Sequence, residues 1–340
     1  MNPMLWRVVL GTVIAVALLA LVLWGLDLQA LGRTLAQARP EPLVAAVAVT
    51  VLAYWLRAWR WQALLAPVLR VPVAELHRAT LVGFAASLAV PRSGEFLRPW
   101  LVARRHPVAA SAGFATIVVE RVVDLNCVLA MLALYLFVLP RPAMEIHGRW
   151  LDALGTAGLA AALVAVLLLA TLWGLHAYGD ALGRRLAGVG RRLPAWLAER
   201  AGGVARAFTE GLAVLRAPLR QHALLALQSA LMWAATIAAY HFVHRALGID
   251  LPPQVTLLLT AFLVVGEAIP TPGLIGGFHA FYVLVLVEIY GVDRQSATAA
   301  AIAAHALTNL PVLVGGAWLV ARGDVGLKRL AQAARSHPEA

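Results

Sequence analysis

The stretch VVERVVDLN, residues 118–126, sets Glu120, Arg121 and Asp124 inside an otherwise apolar run from 113 to 139. Glu120 and Asp124 are one helical turn apart and share a face, while Arg121 points about 100° away. Each charge inside a bilayer costs roughly 2.5–3.5 kcal/mol on insertion scales, so such residues must face protein or water and need partners. The expected partners lie in AVPRSGEFLRPWLVARR, residues 89–105, where Arg92 and Arg98 could oppose the two carboxylates. Pro91 and Gly94 break the backbone there. The break frees N–H groups at the start of the next helix, and with Arg92 and Arg98 beside them this is an arrangement for binding phosphate. Glu95, one turn before Arg98, is placed to orient it. Two plainer readings compete: a salt-bridge network that only packs helices, and a solvated basic loop.

A second polar group lies in GEAIPTPGLIGGFHAF, residues 266–281, which contains no arginine. Glu267 and His279 flank its Pro/Gly break, and His305 with Asn309 forms an i, i+4 pair further on. An acid and a histidine beside broken backbone suit a proton or headgroup contact, against the alternative of hydrogen-bonded packing. The sequence holds no HExxH helix, no histidine-rich cluster and no repeated aspartate motif with metal-ligand spacing. The single cysteine, Cys127, lies within an apolar run, which rules out a disulfide framework or a thiolate metal site. No catalytic residue, metal or cofactor is therefore assigned.

These residues need a membrane to make sense. The chain is 61% hydrophobic and 13% charged, with a mean hydropathy of +0.80, far from the composition of soluble domains. The reading is an all-α polytopic integral membrane protein. About six long transmembrane helices are expected, at 8–26, 42–58, 113–139, 153–176, 222–246 and 296–320. The first resembles a signal peptide but is too long and has no convincing cleavage site, so it is read as an uncleaved anchor. Two further apolar regions, 79–105 and 255–290, are broken by Pro and Gly into short halves and are read as re-entrant hairpins, with thin full crossings as the alternative.

If both hairpins return to their own side, 21 of the 28 lysines and arginines fall on one face and five on the other. The positive-inside rule makes the rich face cytoplasmic, with both termini there. The net charge of +11 then reflects topology, and no nucleic-acid partner is implied. The hairpins enter from opposite sides within two units, 42–139 and 222–320, an inverted-repeat arrangement common in secondary transporters. Arg57, Trp59, Arg60 and Trp61 close the second span and are read as interfacial anchors. The arginine-rich segment 177–221 is read as a cytoplasmic amphipathic connector. Residues 1–325 form one transmembrane domain and 326–340 a cytoplasmic tail.

RAWRW at 57–61, PRSGEFLRP at 91–99, ERVVD at 120–124, PTPGLIGGFHAF at 270–281 and AHALTNLP at 304–311 together resemble the lysylphosphatidylglycerol synthase transmembrane region family, also called the flippase-like domain family. The resemblance covers about 8–320. In bifunctional members a soluble aminoacyl-transferase domain follows and makes the lipid that the membrane region moves between leaflets. This sequence ends about twenty residues past its last span, so the resemblance implies translocation without aminoacylation, and it does not carry over a substrate.

The expected function is that of a lipid flippase or transporter in a bacterial cytoplasmic (inner) membrane, and not an enzyme. Its partner is a membrane phospholipid or a polyprenyl-phosphate-linked lipid. Arg92, Arg98 and Arg121 would hold the phosphate; Glu95, Glu120 and Asp124 would hold the arginines or a cationic headgroup; Glu267 and His279 would serve the outward half. A separate lipid-synthesis enzyme as partner and a homo-oligomer are left open. The alternatives are a membrane-embedded lipid-phosphate transferase or phosphatase, or a scaffold for a lipid or envelope biosynthesis complex.

Overall fold

The computed structural model describes residues 27–140, 210–269 and 271–323, with isolated positions between 16 and 25, between 156 and 174, and at 203. The expected spans 8–26 and 153–176, most of the connector 177–221 and the tail 326–340 lie outside the described residues. The described residues are helical, with no strand among them. The helices are α1 (Leu28–Ala36), α2 (Pro40–Leu65), α3 (Val73–Ala89), α4 (Ser93–Ala103) and α5 (Ala110–Ala133), then α6 (Leu219–Ala246), α7 (Pro253–Ala268), α8 (Ile275–Val283) and α9 (Arg294–Ala321). Single π-helical turns extend α5 through Leu134–Val138 and α8 through Leu284–Ile289.

Helix is what these residues must form in lipid, where every backbone N–H and C=O needs an internal partner. Prolines pre-set the first turns of α2 and α7. Asp27 and Asp293 cap α1 and α9 through their carboxylates. Among the described residues, five stretches are long and apolar enough to cross a membrane: Pro40–Leu65, Ala110–Val138, Leu219–Ala246, Pro272–Ile289 and Arg294–Ala321. Four of these meet expected spans. The fifth is the return arm of the second broken region, which the sequence reading treats as half of a re-entrant hairpin. The helix expected at 42–58 runs on to Leu65, because its arginines are buried in protein instead of marking a water interface.

The helices fall into two matching series. Within each, a long helix precedes a helical hairpin and a second long helix follows it. Each hairpin is pinned by two glycines at the closest approach of its arms. A Cβ on Gly94 would stand 2.2 Å from the Gly83 carbonyl oxygen, and one on Gly277 would stand 2.0 Å from that of Gly266. Gly266 and Gly277 lie 183 positions after Gly83 and Gly94, and the same shift carries α2–α5 onto α6–α9 within a few residues. The hairpin turns also share a backbone feature: among the described residues, Arg92 and Leu274 are the non-glycine residues with positive φ, 62° and 59°.

The two series run in opposite directions. Arg39 N donates to Ala246 O, and Gln228 donates to Trp59 O, so α2 and α6 lie antiparallel along their length. The first arm of each hairpin packs on the closing helix of the other series, α3 on α9 and α7 on α5. The first hairpin opens at the end of the bundle where Glu75 meets His106. The second opens at the opposite end, where Tyr135 meets Tyr290. Their tips meet between: Arg92 donates to Ala268 O at 3.3 Å. Each series has its own apolar core, one around Trp61, Leu76 and Ile117, the other around Leu258, Phe278 and Tyr282.

The ends differ in charge. Arg70, Arg78, Arg104, Arg105, Arg216, Arg220 and Arg322 crowd the end where the first hairpin opens, against Glu75 and Glu210. Arg33, Arg39, Arg245 and Arg294 at the other end face five carboxylates, Asp27, Glu41, Asp250, Glu288 and Asp293. At the basic end Arg104 lies over Trp100 and Arg322 over Trp318.

Candidate functional site

Three helices of the first series bring four guanidinium groups and three carboxylates together. Arg57 and Arg60, three residues apart, share a face of α2. Glu120, Arg121 and Asp124 come from α5, and Glu95 and Arg98 from α4. Glu120 is the hub. Both its oxygens engage Arg98, at 3.2 and 3.4 Å, and its Oε1 is 3.3 Å from Arg60 and 3.4 Å from Arg121. Arg60 also reaches Asp124 Oδ1 at 2.6 Å, and Arg121 lies 3.4 Å from Asp124 Oδ2. Arg57 stands 3.8 Å from both Glu120 and Asp124.

The surroundings dictate this geometry. The Arg98 guanidinium lies 4.4 Å above the Trp61 ring, a contact that replaces lost hydration. Trp61 Nε1 donates to Thr116 Oγ1 at 3.0 Å, which fixes the ring. The Arg98 stem crosses Gly83, where a Cβ would sit 2.5 Å from Arg98 Cγ. Ser229 of α6 accepts from Arg60. Arg60 and Glu120 have no exposed surface, yet the Nε atoms of Arg60 and Arg98 find no hydrogen-bond acceptor. Desolvating the fully buried members, Arg60, Arg98 and Glu120, costs several kcal/mol each, which their mutual attraction repays only while those three stay paired.

Arg57 connects the cluster to a cavity of about 130 Å³ between the two series. Its walls come from α2, α3, α6, α7 and α9 and include Tyr54, Phe84, Trp233, Tyr240, Glu267 and Asn309. Among the described residues Glu267 has no hydrogen bond or ion pair; Arg57 and Arg121 are the charges that act on it through space. Arg57 and Glu267 thus give one space a cationic and an anionic wall. No group of three or more His, Cys, Asp or Glu among the described residues is arranged to hold a metal.

Several sequence expectations need correction. Arg92 is exposed at the hairpin tip and bonds the Ala268 carbonyl, so it does not pair with Glu120 or Asp124. Glu95 faces Arg121, at 3.8 Å, and leaves Arg98 to Glu120. The N–H groups expected to be free after Pro91 are taken: Ser93 N by Val90 O, Gly94 N by Ser87 Oγ, Glu95 N by Arg92 O. The close glycine contact brings the Ser87 hydroxyl to Gly94, and the left-handed turn at Arg92 closes the rest. Arg57 and Arg60 are not interfacial anchors but cluster members.

In the second series the expected residues divide. Glu267 and Asn309 line the cavity, whereas neither histidine does. His279 donates to Ile275 O and His305 to Gly273 O, with their rings 5.0 Å apart and both against Phe278. They tie the hairpin tip to α9. Asn309 Nδ2 donates to the His305 carbonyl. At the positions that the 183-residue shift assigns to Arg60, Arg98 and Glu120 stand Val243, Phe281 and Ala303, so the charge cluster has no copy.

The sequence model of the family described as Lysylphosphatidylglycerol synthase TM region matches residues 8–316. A curated relative named Glycosyltransferase AglD, from Haloferax volcanii, is 26% identical over 336 residues, covering 91% of this chain and 53% of that protein. The chain therefore spans about half the length of that relative. The family match takes in every residue of the charge cluster and every wall of the cavity, and on that extent the chain belongs to the lysylphosphatidylglycerol synthase transmembrane region family.

Proposed function

We propose that the protein is a flippase: it moves a lipid with a phosphate-bearing headgroup between the leaflets of the cytoplasmic membrane, the headgroup passing through the cavity and the tails staying in the bilayer. The observation that carries this reading is the place of the cavity. It lies where two antiparallel helix series meet, between two hairpins that open at opposite ends, with Arg57 on one wall and Glu267 on another. Broken helices meeting at the interface of inverted repeats are how many transporters build a central site that either side can reach. The short arms support a re-entrant reading of the first hairpin: 17 residues of α3 span about 25 Å and 11 of α4 about 16 Å, less than the hydrocarbon core. The basic end, with its Arg–Trp pairs, is assigned to the cytoplasmic interface.

The test is exchange of headgroup-labelled phosphatidylglycerol in liposomes, read as the fraction bleached by an impermeant reductant. Wild type raises that fraction beyond the outer-leaflet half. Asp124→Asn, which keeps the shape but removes the charge at Arg60, slows the rise while the protein stays monodisperse. No exchange of any lipid in a panel that includes polyprenyl phosphates would sink the proposal.

One observation favours a second reading, a membrane-embedded transferase: the relative's name is that of a glycosyltransferase, and Glu267 is an unpaired carboxylate placed to serve as a base. That reading requires turnover of an activated sugar donor by the purified chain, abolished by Glu267→Gln. Exchange without such turnover excludes it.

A further inference from the structure

The cavity has a hydrogen-bonding bias that a headgroup must complement. Four threonines on four helices line it: Thr50 of α2, Thr236 of α6, Thr260 of α7 and Thr308 of α9. Each donates its hydroxyl proton to its own helix: Thr50 to Ala46 O at 2.8 Å, Thr236 to Met232 O at 3.0 Å, Thr260 to Thr256 O at 2.7 Å and Thr308 to Ala304 O at 2.7 Å. With its proton committed, a hydroxyl has only lone pairs left to offer. The unpaired carboxylate of Glu267 adds two more acceptor oxygens. The wall is therefore rich in acceptors, spread around the space instead of gathered at a point. Trp233 and Tyr240 also line the cavity, and aromatic rings offer apolar faces against which pyranose and polyol C–H groups pack.

Charge sets the other half of the headgroup. The cluster's four guanidinium groups exceed its three carboxylates by one, and Arg57 is the member that brings this surplus to the cavity wall. Arg57 offers one guanidinium, with Glu267 across the same space as the balancing charge, and this matches the single negative charge of a phosphodiester better than the charge of nearly two on a phosphomonoester. A headgroup ammonium is a weaker fit. It concentrates three donors at one point, whereas the acceptors lie on four helices.

Resting on the translocation reading above, we infer that the lipid carried has a polyhydroxylated headgroup, a sugar or polyol, joined to the lipid by one phosphodiester. Two sources share that chemistry, a polyol glycerophospholipid and a polyprenyl phosphosugar.

The experiment measures binding to the full chain in nanodiscs by native mass spectrometry, with four probes: phosphatidylinositol, a polyprenyl phosphoglucose, lysylphosphatidylglycerol and phosphatidic acid. At least one of the first two binds about tenfold tighter than either of the last two, a margin of two or three hydrogen bonds, and which one it is identifies the source. Thr236→Val and Thr308→Val, which keep shape and helix while removing one acceptor each, weaken that probe about threefold to tenfold and leave phosphatidic acid unchanged. Tightest binding of lysylphosphatidylglycerol, equal affinity across the panel, or valine variants that weaken all four alike overturns the inference. Leaflet exchange of the same lipids separates the two claims. Selective polyol binding without exchange leaves this inference standing and removes the flippase; exchange with the amine lipid preferred does the reverse.

Discussion

At the residue scale, Arg57 and Arg60 stand one turn apart on α2 and do different work. Arg60 is wholly buried, 2.6 Å from Asp124, so Arg60→Ala takes a buried partner from both Asp124 and Glu120 and is expected to cost about 3–5 kcal/mol. Arg57 sits looser, at 3.8 Å, on the cavity wall. Arg57→Ala should unfold at nearly the wild-type denaturant midpoint yet exchange lipid at least about tenfold more slowly, as expected for a lost charge-assisted contact. Unfolding midpoints and initial exchange rates on one set of preparations check both, and full exchange by Arg57→Ala would place the headgroup elsewhere. The acidic half of the cluster was legible in the sequence, since Glu120 and Asp124 lie inside an apolar run where charge has a cost. Of their partners, Arg98 was legible too, and it meets Glu120 as expected; Arg57 and Arg60 were not. Arg57 and Arg60 fall where a hydropathy window ends, and a window stops at charge whether the charge meets water or a carboxylate from another helix. Arg92 looked equally eligible from spacing alone; only the left-handed turn at the hairpin tip directs it away.

At the scale of elements, each hairpin depends on backbone touching backbone. Gly94→Ala and Gly277→Ala force a methyl against the carbonyls of Gly83 and Gly266, and overpacking of this kind typically costs about 1–3 kcal/mol. Gly32→Ala on α1, where a Cβ meets nothing within 4 Å, should leave the melting temperature unchanged or raise it slightly. If the three variants melt together, the hairpin arms are not in contact. Helix existence and order were readable because apolar runs and Pro/Gly breaks are local signals. The glycine pairs were not singled out, because the approach they permit joins residues eleven apart. The threonines of the cavity carry no sequence signal either: mid-helix threonine bonded to its own backbone is ordinary until four helices turn theirs to one space.

For the whole molecule, the charge difference between the two ends makes a prediction about sidedness. In a Cys127→Ala background, cysteine at Arg105 should react with an impermeant maleimide only from the cytoplasmic side, and cysteine at Asp250, whose side chain is 97% exposed, only from the other. Labelling of both from one side contradicts a bundle that crosses the membrane. The net bias of arginine along the chain showed this in outline. The antiparallel pairing of α2 with α6, and the exchange of hairpin arms between the series, come from contacts more than about 120 residues apart that no local pattern encodes.

Because the charge cluster occurs in the first series alone, the two halves cannot trade conformations at equal energy. In a device made of identical halves, each opening would be the mirror of the other and both would be equally occupied at rest. Here one half is braced by ions and the other by aromatic packing, so one opening is the ground state and the other a minority species. If the protein is the flippase proposed above, lipid arriving from the minority side meets an apparent affinity lowered by that fraction. The half-saturating lipid concentration should therefore differ between leaflets, while detailed balance keeps an uncoupled distribution even once exchange has run its course.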